Sequence, residues 1–494
     1  MIALTPVRLS EIDESDDRRL QHIAAALERS DDRLVADRER YRDQAPDSLP
    51  DRKARTLHVD DFSLITQVHD ISGIDYYPSR AFVRQRDGDL VAGTFSAIEG
   101  YADYLSQQLG LGRSDYIRAT PAPGSPSYAT FEALLGDEVA RQRIALAAQE
   151  AQDNFWIHPY MGLEAAWELA IRLAKRTGRR IRVLGPPPRL TELANNKVWF
   201  GSVVEEVLGS DWTVEPCTGT CAGEIAEGLA RVAAAATRVG IKLADSASGM
   251  GTEIIDAADV RNRSREALEA LVTDWLGDHG WQPESPPVSV EAWRADVVGS
   301  PSIQLWIPPL GDDPPLLEGI FDQRFYPGQE QVFQGSVPSQ LPHTLQRRIG
   351  EAGLLLGRVF QLLHYVGRCS FDTILCGSNL SNPAIKFTEC NGRWGGTSTP
   401  MSLMNRLFGD YRRQPYVASV LHDDRLTGVG MDEFVRQLPD VLFDVRTRRG
   451  WSIVLNAGCL RPVGKLDVIT LGETPATAER RQDEFLDTVA SRFL

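Results

Sequence analysis

Hydrophobic and polar positions along this chain switch repeatedly between a helical period and the short apolar runs of buried strands. Leu163 to Lys175 reads as a helix stopped near Gly178. A strand follows at Arg180 to Gly185, closed by Pro186, Pro187 and Pro188, the clearest boundary in the chain. Ile225, Leu229, Val232 and Ala236 predict a helix over Gly223 to Arg238, and Val239 to Ala244 an apolar strand carrying one lysine, Lys242. Val198 to Leu208 is helix-like. Leu345 to Val366 predicts a long helix with Ile349, Leu354, Leu356, Phe360 and Leu363 available for burial, and Thr477 to Phe493 a closing helix. Strands are predicted at Val288 to Trp293, Ser302 to Ile307, Gly319 to Gln323, Asp372 to Leu375, Ala384 to Phe387, Val441 to Val445, Trp451 to Asn456 and Leu466 to Leu471. Phe82-Val83 and Leu90-Val91 flank Arg86-Asp87-Gly88-Asp89, a hairpin signal. Residues 1–60 are dense in Asp and Arg; Ile23, Leu27 and Leu34 suggest an amphipathic helix, with a mobile arm as the alternative.

Composition narrows the class. The chain has 494 residues, 42% hydrophobic and 24% charged, which is enough for several packed domains. Its net charge of −15 argues against a nucleic-acid surface, which needs a basic footprint. Met1 to Leu20 lacks an apolar leader core, and no run approaches the ~20 apolar residues of a spanning helix. The expectation is a soluble cytoplasmic protein, with no membrane or nucleic-acid partner and room for a homodimer. Among the six cysteines, Cys217 and Cys221 form the one close pair outside the strand region, with no matching Cys or His pair for zinc. Reduced, structural cysteines are expected.

The candidate chemistry sits at strand ends. Glu389 and Asn391 lie two apart at the end of the Ala384 run, so both side chains share one face and Cys390 points away into packing. A carboxylate and an amide oxygen side by side are hard ligands, suited to Mg²⁺. Asp372, on another strand-like run, supplies a second carboxylate, and Arg393 continues the Glu389 face as a bidentate anion holder. Lys242 in an apolar strand is costly without an anionic partner, although an edge-strand lysine reaching water would also serve. It runs into Asp245-Ser246-Ala247-Ser248-Gly249-Met250-Gly251-Thr252, whose glycines let backbone N–H groups approach phosphate oxygens. The spacing is neither a Walker A loop nor a Rossmann fingerprint.

Taken in order, Lys197, Lys242, the Ser/Gly loop, the Val288 to Trp293 strand, Asp372 and the Glu389/Asn391 pair resemble the ATP-grasp ligases. That resemblance implies an α/β (α+β) fold: an N-terminal helical or arm segment at 1–60, a pre-ATP-grasp α/β domain at 61–190, a smaller lobe at 191–290, a larger lobe at 291–410 and an α+β tail at 411–494 that completes the large lobe or the acceptor site. It implies ATP and Mg²⁺ as cofactors. Lys197, Lys242, Ser246, Ser248, Gly249 and Gly251 would hold phosphates under a closing loop. Glu291, Ala292 and Trp293 would seat the nucleotide, and Asp372, Glu389 and Asn391 would bind the metal. Arg393 would orient the substrate carboxylate. Arg368 is a second candidate for that role, weighed evenly against a surface arginine at a strand start. His158-Pro159-Tyr160 and Gly185-Pro186 are similar to the pheganomycin-type peptide ligases; His158 lines a substrate cleft or is a satisfied structural histidine. The implied activity is formation of an amide from a carboxylate and an amine, an amino acid or peptide, through an acyl phosphate, in natural-product biosynthesis. A kinase or enol-phosphorylating enzyme on the same nucleotide site, and a non-catalytic nucleotide binder, remain the alternatives.

Overall fold

The computed structural model describes residues 14–493 except 52, 66, 152, 153, 247, 248 and 327, and the side chains of 330 and 331. Three sheets organise the chain. The first is parallel, in the order Asp115–Arg118, Leu90–Gly93, Thr56–Val59, Phe155–Pro159 and Ile181–Val183. Thr56–Val59 lies inside the segment expected as helix or arm, yet all four of its residues are buried and it is the central strand. Helices cover the sheet, among them Glu164–Thr177, which ends at Gly178 in the left-handed region, as the sequence predicts.

The expected hairpin at Phe82 to Val91 does not form. Phe82 and Val83 belong to the 3-10 helix Ile74–Arg84, and Leu90–Gly93 pairs in parallel with Thr56–Val59. The polar turn is real, but its geometry serves another end. Asp89 accepts hydrogen bonds from the backbone N–H of Arg86 (2.9 Å) and of Thr56 (3.0 Å), which clamps the turn to the neighbouring strand.

The second sheet is a small antiparallel one, in the order Cys217–Gly219, Val288–Ala292, Arg238–Lys242 and Thr252–Asp256. The helices Ala222–Ala233 and Arg265–Asp278 pack on it through Ile225, Leu229, Leu268 and Val272. The first of these stops five residues short of the predicted Arg238, because Arg238 already starts the next strand. Val288–Ala292 crosses the expected division at 290.

The third sheet has nine strands and is antiparallel. From Val297–Gly299 and Gly367–Cys376 it runs through Pro301–Ile307, Leu316–Tyr326, Gln329–Pro338, Tyr416–His422 and Lys465–Leu471 to Ser452–Asn456, with Ala384–Asn391 paired to Gly367–Cys376. The tail strands therefore complete the large sheet. Val441 to Val445 is not a strand: only isolated bridges at Leu442 and Asp444 form there. The helix His343–Leu362 packs across this sheet, and Pro475–Arg492 closes the chain. The helices Glu14–Ser30 and Asp32–Arg40 bury Leu20, Ala24 and Leu34 in the same core as Phe360 and Phe371. All six cysteines are free, and Cys390 is buried in that core, facing away from Glu389 and Asn391. Among the described residues no helix is long and apolar enough to cross a membrane.

Candidate functional site

Three adjacent strands line up the carboxylates. Gly367–Cys376 pairs with Pro301–Ile307 on one side and Ala384–Asn391 on the other, and the register puts Ser302, Asp372 and Glu389 in one row. Residues directly opposite share a face of the sheet. Ser302 Oγ donates to Asp372 Oδ1 (2.5 Å), Gln304 Nε2 donates to Ser302 Oγ (2.9 Å), and Asn391 Nδ2 donates to Asp372 Oδ2 (3.0 Å). Asp372 is buried, and burial together with the Glu389 carboxylate pushes its pKa up to about 7. Burial also works to raise Glu389, but the charges of Lys197 and Arg393 outweigh it and hold that carboxyl below its usual range. Two carboxylates pressed together in a buried site, one of them held partly protonated, form an anionic concentration that a cation relieves. Asp372, Glu389 and the Asn391 amide oxygen are hard donors that fit Mg²⁺. Among the described residues no three His, Cys, Asp or Glu side chains gather as a metal cage.

The lysines approach from the smaller sheet and its neighbour. Lys197 is the first residue of the helix Lys197–Leu208, whose cap Asn196 accepts from the N–H groups of Val198 and Trp199. Its Nζ lies 3.2 Å from Glu389 Oε2 and donates to the Ser246 carbonyl. Lys242 ends its strand, pairs with Glu291 of the neighbouring strand, and has its Nζ 5.1 Å from the centre of the Trp293 ring. Gly240 makes that ring position accessible, since a Cβ there would stand 2.9 Å from Trp293 Cε3.

Between Lys242 and Thr252 the chain turns back through Gly249 (φ +78°) and Gly251 (φ +63°), both in the left-handed region that favours glycine. Leu243 N–H donates to the Gly251 carbonyl (2.9 Å). Ser248 lies outside the described residues.

One cavity of about 930 Å³ collects most of these groups. Lys197, Lys242, Ser246 and Gly249 line it, as do Glu291, Ala292 and Trp293. So do Asp372, Glu389, Asn391 and Arg393. Gly251 is set back from it, against Leu243. Arg368 is not among the lining groups. Its guanidinium is engaged by Glu318 in a two-pronged ion pair (2.7 and 2.8 Å) and lies between the rings of Trp306 (5.3 Å) and Trp394 (4.3 Å). It shares a sheet face with Asp372, but its hydrogen-bonding capacity is spent four residues away. His158 is also absent from the lining: it accepts the Trp394 indole N–H at Nε2 (3.1 Å) and packs at a tilt against His58 (ring centres 5.4 Å apart), the structural role of the two weighed for it.

Several groups in or behind the cavity wall escaped sequence reasoning. Ser302 and Gln304 alternate on a predicted strand, and only the register opposite Asp372 gives them meaning. Asn195 sits beside the noted Asn196-Lys197. Its Oδ1 accepts from Gly392 N–H (3.2 Å) and from Arg393, which fixes the arginine's approach. Arg80, Lys465 and Asp467 line the same cavity from remote parts of the chain.

No family model matches the chain, and no curated protein does. Solved structures do. The biotin carboxylase domain of the Hydrogenobacter thermophilus 2-oxoglutarate carboxylase, a dimer with MgADP, ADP and bicarbonate, matches at 13% identity and TM-score 0.51, over 88% of this chain and 90% of that one. Biotin carboxylase from Campylobacter jejuni, solved with a β,γ-ATP ligand, matches at 13% identity and TM-score 0.51, over 88% and 91%. The ADP complex of purK, the N5-carboxyaminoimidazole ribonucleotide synthetase, matches at 10% identity and TM-score 0.52, over 91% of this chain and all of that one. At such identities the likeness speaks to fold alone, and these are ATP-grasp enzymes. This chain has the ATP-grasp fold.

Proposed function

We propose that this protein is an ATP-dependent ligase that activates a carboxylate as an acyl phosphate and joins it to an amine. The observation that carries the reading is the single cavity that brings two lysines, the Glu291–Trp293 segment, the Asp372/Glu389/Asn391 group and Arg393 together. In the first step an oxygen of the substrate carboxylate bonds to the γ-phosphorus of ATP and the bond to the β-γ bridging oxygen breaks, releasing ADP. In the second the amine nitrogen bonds to the acyl carbon, phosphate leaves, and the nitrogen loses a proton.

The protein's part is positioning and charge. Lys197 and Lys242 hold phosphate oxygens, giving up their present partners Glu389 and Glu291. Trp293 and Ala292 border the nucleotide base. Arg393, steadied by Asn195, orients the carboxylate. Asp372, Glu389 and Asn391 would hold Mg²⁺, which offsets charge on the phosphates when bound. The segment from Ser246 to Gly251 would close over the phosphates and exclude water that would hydrolyse the acyl phosphate. Arg368 acts at one remove, by packing against Trp394 next to Arg393.

The finer reading, an amino-acid or peptide amine in natural-product biosynthesis, rests on the resemblance at His158 to Tyr160 and Gly185-Pro186. Screening paired acids and amines for ADP release tests the proposal. ADP and phosphate should appear only when both partners are present, and hydroxylamine should trap a hydroxamate. Release of AMP, or a stable phosphorylated product without hydroxamate, rejects it.

A further inference from the structure

The cavity continues well past the carboxylate row. Asp467 and Lys465 lie on the strand Lys465–Leu471, five strand steps across the large sheet from Gly367–Cys376. At about 4.8 Å per step this is roughly 24 Å along the curved sheet. Both residues line the same cavity, and so does Arg80 from the 3-10 helix Ile74–Arg84 of the first domain.

The two cations there are short of partners. Arg80 makes no hydrogen bond or ion pair among the described residues, and its Nε is buried without an acceptor. It is held by rings instead, with its guanidinium carbon 4.9 Å from the centre of Tyr77, 5.3 Å from Phe62 and 5.7 Å from Tyr160. Lys465 Nζ lies 5.1 Å from the centre of the same Tyr77 ring, likewise with no ion pair among the described residues. Asp467 is the carboxylate nearest in effect, since its charge is felt by both cations, but it bonds neither; its Oδ2 accepts from Asn456 Nδ2 (3.3 Å). Asp60, the other acid felt by Arg80, is taken by Arg84. Burial lowers the Lys465 pKa, with Arg80 adding to the effect. A guanidinium and an ammonium lining one partly desolvated chamber, with Asp467 as the carboxylate acting on both, leave one positive charge uncompensated. An orphaned buried donor is costly unless a ligand satisfies it.

We propose that Arg80 and Lys465 form an anion-binding subsite for the second substrate, an extended amine of peptide size whose terminal carboxylate they hold. The proposal rests on the ligase reading and goes beyond it by naming what the acceptor carries. The carboxylate to be activated belongs beside Arg393 and the Asp372/Glu389 pair, so the amine has to reach that point from the remaining part of the cavity. A cationic wall repels an ammonium and attracts a carboxylate, which orients the acceptor with its amine away from Arg80 and Lys465 and toward the Asp372/Glu389 end of the cavity. A cavity of about 930 Å³ that runs from Trp293 past the carboxylate row to Lys465 has room for an acceptor of more than one residue. A phosphate on the acceptor would satisfy the same two cations.

The test is thermal unfolding of the full chain, first with saturating MgADP and then with trialanine, trialaninamide or inorganic phosphate added. The expected result is a further rise in Tm with trialanine and none with its amide. Arg80→Gln and Lys465→Gln should each weaken the trialanine response at least tenfold in apparent Kd while still responding to MgADP. Arg80→Lys, which keeps the charge, should recover part of the response. A response to phosphate but not to trialanine, lost in Arg80→Gln and Lys465→Gln, would keep the anion site and overturn its peptide occupant; a phosphate response that both variants retain would overturn the subsite. An equal response to the amide, no response to any of the three, or variants that respond like the wild type would overturn the subsite. Failure of MgADP itself to raise Tm would instead count against the nucleotide reading.

Discussion

Glu389 touches both halves of the proposed chemistry, as neighbour of Asp372 in the strand register and ion-pair partner of Lys197. Glu389→Gln keeps the size and removes the charge. Turnover should fall by ~10²–10³, the range for losing one preorganised electrostatic group, with an unchanged far-ultraviolet spectrum. An unaltered rate of ADP release would discard the metal assignment. A second residue-scale prediction concerns the buried histidines. His58 and His158 both have pKa values lowered by burial, so the folded state keeps them neutral. Their contribution to stability is complete above the unfolded value of about 6.5 and is lost as pH falls below it, because only the unfolded chain then takes up the proton freely. Asp61 (up to about 6) and Asp372 (up to about 7) act in the opposite sense, their contribution being lost as pH rises from the ordinary carboxylate range through those values. The histidine part is therefore read as a difference. His158→Gln keeps an acceptor for the Trp394 N–H but cannot titrate. Relative to this variant the wild type should lose Tm steadily between pH 7 and 5, and parallel Tm curves would show that His158 does not titrate on unfolding.

The elements of the large sheet depend on one close approach. Among the described residues, Gln329–Pro338 pairs with Tyr416–His422 through Gly335↔Ser419 and Ser336↔Ala418, and this joint ties the tail strands to the rest of the sheet. A Cβ on Gly335 would stand 2.0 Å from the Ala418 carbonyl oxygen, a backbone atom that cannot swing aside. Gly335→Ala should cost ~1–3 kcal/mol, the usual range for overpacking. Amide exchange should speed up in Tyr416–His422 and Lys465–Leu471 and stay unchanged in the parallel sheet. Uniform exchange would mean the joint carries no strain. The same sheet explains what the sequence disclosed and what it hid. Asp372, Glu389 and Asn391 were legible because strand alternation is local: a period of two and a terminal turn are enough to place them on one face. Lys197 and Lys242 were legible through their order along the chain. The hairpin at Phe82 to Val91 was misread because its turn residues are shared by any tight polar turn, and the choice between hairpin and crossover is made by Asp89 reaching Thr56. Arg368 was misjudged because its partner Glu318 is fifty residues away. Arg80, Lys465 and Asp467 carry no local signal at all, and only the closing of the large sheet against the first domain brings them to one chamber.

At the scale of the whole molecule, the cavity is a meeting place of three sheets. The small sheet supplies Lys242, Glu291 and Trp293; the large one supplies the carboxylate row and Lys465; the parallel domain supplies Phe62, Tyr77, Arg80 and Tyr160. The parallel domain is fastened to the segment bearing Arg393 by Trp394, whose backbone N–H donates to the Tyr160 carbonyl (3.0 Å) and whose ring lies against Arg84 (4.8 Å) and Arg368 (4.3 Å). The N-terminal helices reinforce the assembly from outside the cavity. Asp17 accepts from Arg358 (2.8 Å) of the long helix, and Leu20 is fully buried against that helix's core, so this stretch is structural and not an arm. Truncating Leu20 removes apolar contacts from a close-packed region that has little freedom to collapse. Leu20→Ala should destabilise the chain by ~2–5 kcal/mol, read as a lower urea midpoint, while MgADP still raises that midpoint by the wild-type amount because no cavity residue is touched. A midpoint unchanged within error would mean that the first helices detach in solution, and the stability of the large sheet would then have to rest on the long helix alone.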